Sequence, residues 1–406
     1  MAQRRLCVQD YAVGWVCALP IELAAAKMML DEEHQNLPRQ DNDTNLYTFG
    51  RIGEHNVVIA CLPAGQTGTN SAAAVAVEMK LKFKHIQFGL MVGIGGGVPT
   101  AESDIRLGDV VISQPHMRHG GVVQYDFGKT EPSGFTRTGF LNTPPTILLH
   151  ALAKLQANHK IGRNNIPTHL SAVSDLPDFV RNNAGPDYLF ESDYKHIEGP
   201  TCAQCSKDRL VKRVQRPSQK IDVHYGMIAS GNQVIRDGLI RDKLSSELGG
   251  ALCFEMEAAG LINSFPCLVV RGICDYADSH KNKTWQPYAA ATAAACAKEI
   301  LSIMPPAEVV RTNTINEVIE GTYSTSNFYI YLSKPAMQYR SHALLLSLVL
   351  VSANLSDQTS PSRTICFTVP FERDSKFIGR EDIITEIDRK FKVQRRVALA
   401  GIGGVG

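Results

Sequence analysis

Cys253-Phe254-Glu255-Met256-Glu257-Ala258-Ala259-Gly260 and Arg271-Gly272-Ile273-Cys274-Asp275-Tyr276-Ala277-Asp278 are the stretches whose reading decides the fold. In the first, two carboxylates flank a methionine just ahead of a small-residue run, Ala258 to Ile262, that predicts a helix. In the second, the apolar run Cys267 to Val270 predicts a buried strand ending on charged residues. One acid is thus offered at a helix start and another at a strand end. In α/β sheets the loops at the carboxyl ends of strands hold the chemistry, so both acids become candidates for it.

Working outward, 406 residues leave room for two domains, or for one large domain and a tail. Lys+Arg 42 against Asp+Glu 40 gives a net charge of +2, which removes any bulk electrostatic case for a nucleic-acid polymer. Residues Met1 to Arg5 lead into mixed sequence without the apolar core of a signal peptide. The most apolar stretch, Ala343 to Ala353, is too short to span a bilayer. The ten cysteines are scattered, with Cys17, Cys61, Cys253, Cys267 and Cys274 inside apolar runs, as in a reduced cytosolic protein. A soluble, cytoplasmic protein without membrane attachment is expected.

Tyr11 to Leu19 predicts a strand that breaks at Pro20 and restarts as a helix, with Glu22 in its first turn. An acid there also suits the helix dipole, so the position alone does not assign a role. Leu46 to Ile52 and His55 to Leu62 predict a hairpin about Gly53-Glu54. Pro63 to Asn70 is a glycine-bearing turn before an alanine-rich helix, Ser71 to Leu81. Phe88 to Val92 then runs into Gly93-Ile94-Gly95-Gly96-Gly97, where backbone amides can approach a ligand or simply turn. Val98-Pro99 follows, which does not fit a dinucleotide-binding turn. Thr146 to Ala157 predicts an amphipathic helix, and Asn158 to Arg216 reads as a long polar insertion. Within the insertion, Cys202 and Cys205 form half of a zinc-ribbon pattern that His196 and His224 could complete; reduced surface thiols are the simpler reading. Ala289 to Ile303 predicts a last helix, and Met304-Pro305-Pro306 closes the compact part.

Five ordered features resemble the nucleoside phosphorylase and nucleosidase superfamily over residues 10–305. They are Ala18-Leu19-Pro20-Ile21-Glu22, the glycine run at Gly93, Leu107-Gly108-Asp109-Val110-Val111, Ser230-Gly231, and Met256-Glu257 followed by Arg271 to Asp275. The resemblance implies a three-layer α/β domain, a mixed central sheet flanked by helices, with the site at strand ends. Residues 306–370 are expected as a linker. Residues 371–406, with Phe377-Ile378-Gly379-Arg380-Glu381 and a glycine-rich end, look like the start of an NB-ARC-type domain. That pairing is similar to fungal NOD-like receptor proteins. A working P-loop needs Gly-Lys-Ser/Thr after its glycines, and Gly406 stands where the lysine should follow, so an incomplete chain is expected.

The resemblance also implies roles. Asp275 would protonate purine N7, kept neutral by burial; Glu257 would accept hydrogen bonds from the ribose hydroxyls while Met256 packs on the sugar. Val234 and Ile235 would line the base pocket, where the family often has an aromatic. Gly93, Ile94, Gly95 and Gly96 would touch the ligand. Phosphorylases of the superfamily hold phosphate with an arginine and a serine about the glycine run, where this chain has Met91 and Ile94; nucleosidases carry a glutamate at the Glu22 position to activate water. Hydrolysis of a purine nucleoside or nucleotide, adenosine- or ATP-like, is therefore expected. Phosphorolysis and a non-catalytic nucleoside sensor are the alternatives. Arg236, Lys281 and Lys283 could receive a 5′-phosphate chain or simply be solvated. No cofactor or metal is expected, and the family suggests a homo-oligomer.

Overall fold

The computed structural model describes residues 4–38, 43–132, 134–216, 220–310 and 312–318, with short pieces at 328–330 and 348–350. Two units divide the chain, Met1–Ile319 and Glu320–Gly406. In the second, two strands, Phe328–Ile330 and Leu348–Leu350, pair antiparallel. The expected NB-ARC-type start at 371–406, and most of the expected linker, lie outside the described residues.

The first unit is organised by its strands. In chain order they are β1 (Val13–Cys17), β2 (Glu32–Glu33), β3 (Tyr47–Ile52), β4 (His55–Cys61), β5 (Phe88–Gly97), β6 (Val110–Ser113), β7 (Val122–Gln124), β8 (Gly128–Glu131), β9 (Gly134–Arg137), β10 (Val223–Gly226), β11 (Ile228–Ser230), β12 (Cys253–Glu255) and β13 (Cys267–Asp275). Between them run helices α1 (Pro20–Met28), α2 (Thr69–Lys82), α3 (Thr146–Lys160), α4 (Ile166–Leu170), α5 (Gly238–Glu247), α6 (Ala258–Leu261), α7 (Gln286–Ser302) and α8 (Pro306–Val310). The sheet runs β10-β6-β13-β5-β1-β4-β3-β2. Its centre is parallel, since β5 pairs in that sense with both β1 and β13. β6 and β12 join antiparallel, at β13 and at the glycine end of β5 respectively. The expected mixed sheet flanked by helices is what forms.

The strands of the centre bury both faces, which is why they read as continuous apolar runs rather than alternating ones. One face takes Trp15, Phe88 and Leu268 beneath the helical layer of α1, α3 and α7. The other takes Val16, Met91 and Val269 with residues of α2 and α6. Each such large apolar side chain contributes about 1.5–3 kcal/mol when buried. The alanine-rich α7 serves close approach. A Cβ placed on Gly272 of β13 would lie 1.8 Å from the Ala289 carbonyl oxygen of α7. Backbone faces backbone there, and neither side can yield by a rotamer change. Gly272→Ala should therefore destabilise the protein by at least ~1–3 kcal/mol, read as a lowered urea midpoint; an unchanged midpoint would mean that α7 slides freely on the sheet.

Several elements differ from expectation. β5 does not end where the glycines begin but continues through them to Gly97, because β13 pairs with it as far as Gly96 and β12 at Gly96 and Gly97. β13 likewise runs past Val270 to Asp275, carrying Arg271 within it. Chain packing extends beyond Met304, with Ile315 buried and its N–H donating to the Ile86 carbonyl at 2.7 Å. Cys205 is buried rather than a surface thiol. His224 stands away from the cysteine pair, its Nε2 3.0 Å from Asp109 Oδ2. Among the described residues, no helix is long and apolar enough to cross a membrane.

Candidate active site

The turn from β1 into α1 places Glu22 inward, 3% exposed. Pro20 opens α1, where a missing N–H costs nothing because first-turn amides have no helical partner. Glu22 Oε2 accepts from the N–H groups of Ala18 (2.7 Å) and Leu19 (3.0 Å), and Oε1 accepts from Ile94 N–H (2.8 Å). Burial pushes this carboxyl up from the usual glutamate range, opposed by Arg271 and by those three amides. The result is a fixed, poorly solvated carboxyl that binds a proton more tightly than a free glutamate does.

Behind it lies Arg271, fully buried on β13. Its Nη2 bonds Glu255 at the end of β12 and lies 3.4 Å from Glu257 Oε2 at the entrance to α6. Glu255 also accepts from the N–H groups of Glu257 and Ala258, so it holds the start of α6 as well as the arginine. Burial pushes the Glu257 carboxyl up to about 7, with Arg271 pulling it down and Glu255 and Glu22 adding to the rise. Gly93 explains how β5 passes this cluster. A Cβ there would stand 2.4 Å from both Arg271 Nη1 and Glu22 Oε1.

Asp275 ends β13, 5% exposed. Its Oδ1 accepts from Ala277 N–H at 2.9 Å and lies 3.3 Å from Lys281 Nζ. The Cys274 thiol donates to Oδ2 at 3.1 Å. The aspartate is held from three directions, within a proton's reach of an ammonium. The aspartate expected among apolar neighbours has a cationic one as well, Lys281.

Glu22, Glu257 and Asp275 face one cavity of about 180 Å³. Ile94, Gly95, Gly96, Val234, Ile235 and Met256 border it too, so nearly all the residues expected at the site meet there. Gly93 does not; it makes room behind the acids. Val234 is half exposed and Ile235 buried. A larger cleft of about 700 Å³, near Val98 and Arg213, contains none of the three acids.

Three contributors were not assigned roles from the sequence, and a fourth has a different partner from the one considered. Arg271 and Glu255 form the buried charge pair beneath the acids. Phe254 lines the cavity beside Val234 and Ile235 and meets Tyr125 edge-on, ring centroids 5.5 Å apart. Lys281, read as a phosphate receiver or a solvated charge, is engaged by Asp275, and neither Arg236 nor Lys283 borders the cavity. A signal existed for Phe254, since it alternates with Cys253 and Glu255 on a short strand beside the acids. None existed for Lys281, which sits in an irregular loop.

A family model described as "Phosphorylase superfamily" matches residues 12–302. A nucleotide-binding leucine-rich repeat (NLR)-like protein of Hyaloscypha variabilis is 42% identical over 410 residues, covering 99% of this chain and 36% of its own length. The chain thus spans about a third of that relative. A 5′-methylthioadenosine/S-adenosylhomocysteine nucleosidase of Mycobacterium bovis is 25% identical, covering 72% of this chain and 96% of its own. The ATP nucleosidase Cap17 of Escherichia coli is 25% identical, covering 68% of this chain and 48% of its own.

Proposed function

The chain belongs to the phosphorylase superfamily, and from that premise we propose that residues 12–302 hydrolyse the N-glycosidic bond of a purine nucleoside or nucleotide. The observation that carries this reading is the glycine run. Its Ile94 amide is already committed to Glu22, and Met91 is buried in the sheet. Among the described residues bordering the cavity, the one cation, Lys281, is paired with Asp275. Phosphate therefore finds no unpaired charge there, whereas water finds a base.

Bond cleavage of this kind passes through an oxocarbenium-like sugar. Water attacks C1′ and gives its proton to Glu22; the C1′–N9 bond breaks, its electron pair leaves with the base, and Asp275 passes to N7 a proton drawn from the Lys281 ammonium 3.3 Å away. Free base and a C1′-hydroxyl sugar result. Glu257 accepts from the ribose hydroxyls, Met256 covers the sugar, and Phe254 offers the base a face. A deoxyribose would leave the buried Glu257 carboxylate short of a partner, which selects for ribose. The nucleosidase relatives support hydrolysis, and the Cap17 relative supports a nucleotide of the ATP type. The NLR-like relative supports an effector role in which the domain depletes a nucleotide pool.

Product analysis on the full chain with adenosine and with ATP, each with and without inorganic phosphate, tests the reading. Free base and unphosphorylated C1′, indifferent to phosphate, are expected. A sugar 1-phosphate formed only with phosphate would replace hydrolysis by phosphorolysis, and no base under any condition would leave a nucleoside sensor.

A further inference from the structure

We propose that the polar insertion carries a zinc site formed by His196, Cys202 and Cys205, beside His280 of the loop after Asp275. The ligand atoms of the first three lie within 4.8 Å of one another. His196 Nδ1 is 3.3 Å from Cys205 Sγ and 3.8 Å from Cys202 Sγ. A tetrahedral zinc with Zn–S about 2.3 Å and Zn–N about 2.0–2.1 Å places nitrogen and sulfur about 3.5 Å apart, between these two distances. The Cys205 N–H donates to the Cys202 carbonyl at 3.3 Å, forming the tight turn of a C-x2-C ligand pair.

The outer contacts support the same assignment. His196 Nε2 lies 2.9 Å from the Gly199 carbonyl, which can only accept, so this nitrogen carries the proton and Nδ1 presents its lone pair to the thiols. A ligating histidine with its other ring nitrogen on a carbonyl is the usual outer shell of a zinc site. His280 supplies an independent observation. It is 7% exposed, and neither ring nitrogen has a hydrogen-bond partner. Its Nδ1 is 3.6 Å from Asp278 Oδ1, and its ring stacks on Phe190 with centroids 4.1 Å apart. Its ring meets that of His196 edge-on, centroids 5.6 Å apart, and Cys202 Sγ is 3.9 Å from its carbonyl oxygen. Two thiolates with one imidazole supply three of the four donors of a zinc site.

The site also has a consequence. The His196 N–H donates to Ser279 Oγ at 2.9 Å, so the insertion is already stitched to the loop holding Lys281, the partner of Asp275. The metal would lock that stitch without touching the reacting atoms.

Full chain purified without chelator should contain about one zinc per molecule by elemental analysis. Zinc-edge X-ray absorption should show mixed sulfur and nitrogen ligation. Exchange for cobalt(II) should give a tetrahedral spectrum with thiolate-to-cobalt charge transfer. Cys202→Ser and Cys205→Ser should abolish that spectrum and Cys7→Ser, an exposed thiol, should leave it intact. Wild-type chain that holds no zinc and shows no thiolate–cobalt band, or that carries a Cys202–Cys205 disulfide, overturns the proposal. The spectroscopic readouts on wild type stand even where a cysteine variant fails to fold, and they do not depend on turnover.

Discussion

Asp275→Asn should lower kcat by ~10²–10⁴-fold, the usual contribution of a positioned general acid, while KM for the nucleoside changes little. The asparagine preserves size and can still accept from Ala277 N–H, so the strand end keeps its shape. What it cannot do is give a proton to N7. The decisive comparison is between leaving groups. A 4-nitrophenyl riboside departs without protonation, so the variant should cleave it nearly as well as the wild type while failing on adenosine. Glu22→Gln should slow both substrates, because water must be activated whichever group leaves. If Asp275→Asn slows the two substrates equally, the residue positions Lys281 or the 276–281 turn and is not the acid. Stability measured alongside separates this from simple misfolding.

Why Asp275 was legible and its neighbours were not follows from the kind of signal each leaves. The β1–α1 turn announces itself locally: an apolar run, Pro20 at a helix start and Glu22 in the first turn. The Met256-Glu257 and Asp275 pair was readable only through spacing that resembles a family. Arg271 was misleading, since a charge after four apolar residues reads as the end of a buried strand. β13 continues through it because carboxylates from β12, the entrance to α6 and α1 surround the guanidinium, and no local pattern records such long-range partners. The glycine run posed the same difficulty. Glycines following a strand suggest a turn, yet Gly93 stays in β5 because Arg271 and Glu22 occupy the space of its missing side chain. The cysteine pair was ambiguous for a third reason: His196, Cys202 and Cys205 lie in one irregular segment, and only folding brings their ring nitrogen and thiols together.

Arg271 is also where the largest loss of stability is expected. Burial works against its charge, and Glu255, Glu257 and Glu22 outweigh that and hold it ionised. Arg271→Met would keep roughly the stem volume but leave those buried carboxyls without their cation. Removing one partner of a buried pair costs ~3–5 kcal/mol, which here should appear as a large drop in the chemical-denaturation midpoint near neutral pH. The deficit should depend on pH in a definite sense. In the wild type, Glu257 has a folded-state value of about 7 against an ordinary 4.5. A raised carboxyl stabilises the fold fully below its unfolded value, and that contribution disappears as pH climbs through about 7. Without Arg271, the force holding Glu257 and Glu22 down is gone, and both protonate at higher pH than before. Neutral carboxyls need no cation, so the variant should recover relative to wild type as the solution is acidified from pH 8 towards 5. A deficit that stays constant over that range would mean the cost is lost packing around the arginine stem. Recovery on acidification would place it in the charges, and with it the reason a fully buried arginine sits in the strand that ends on Asp275.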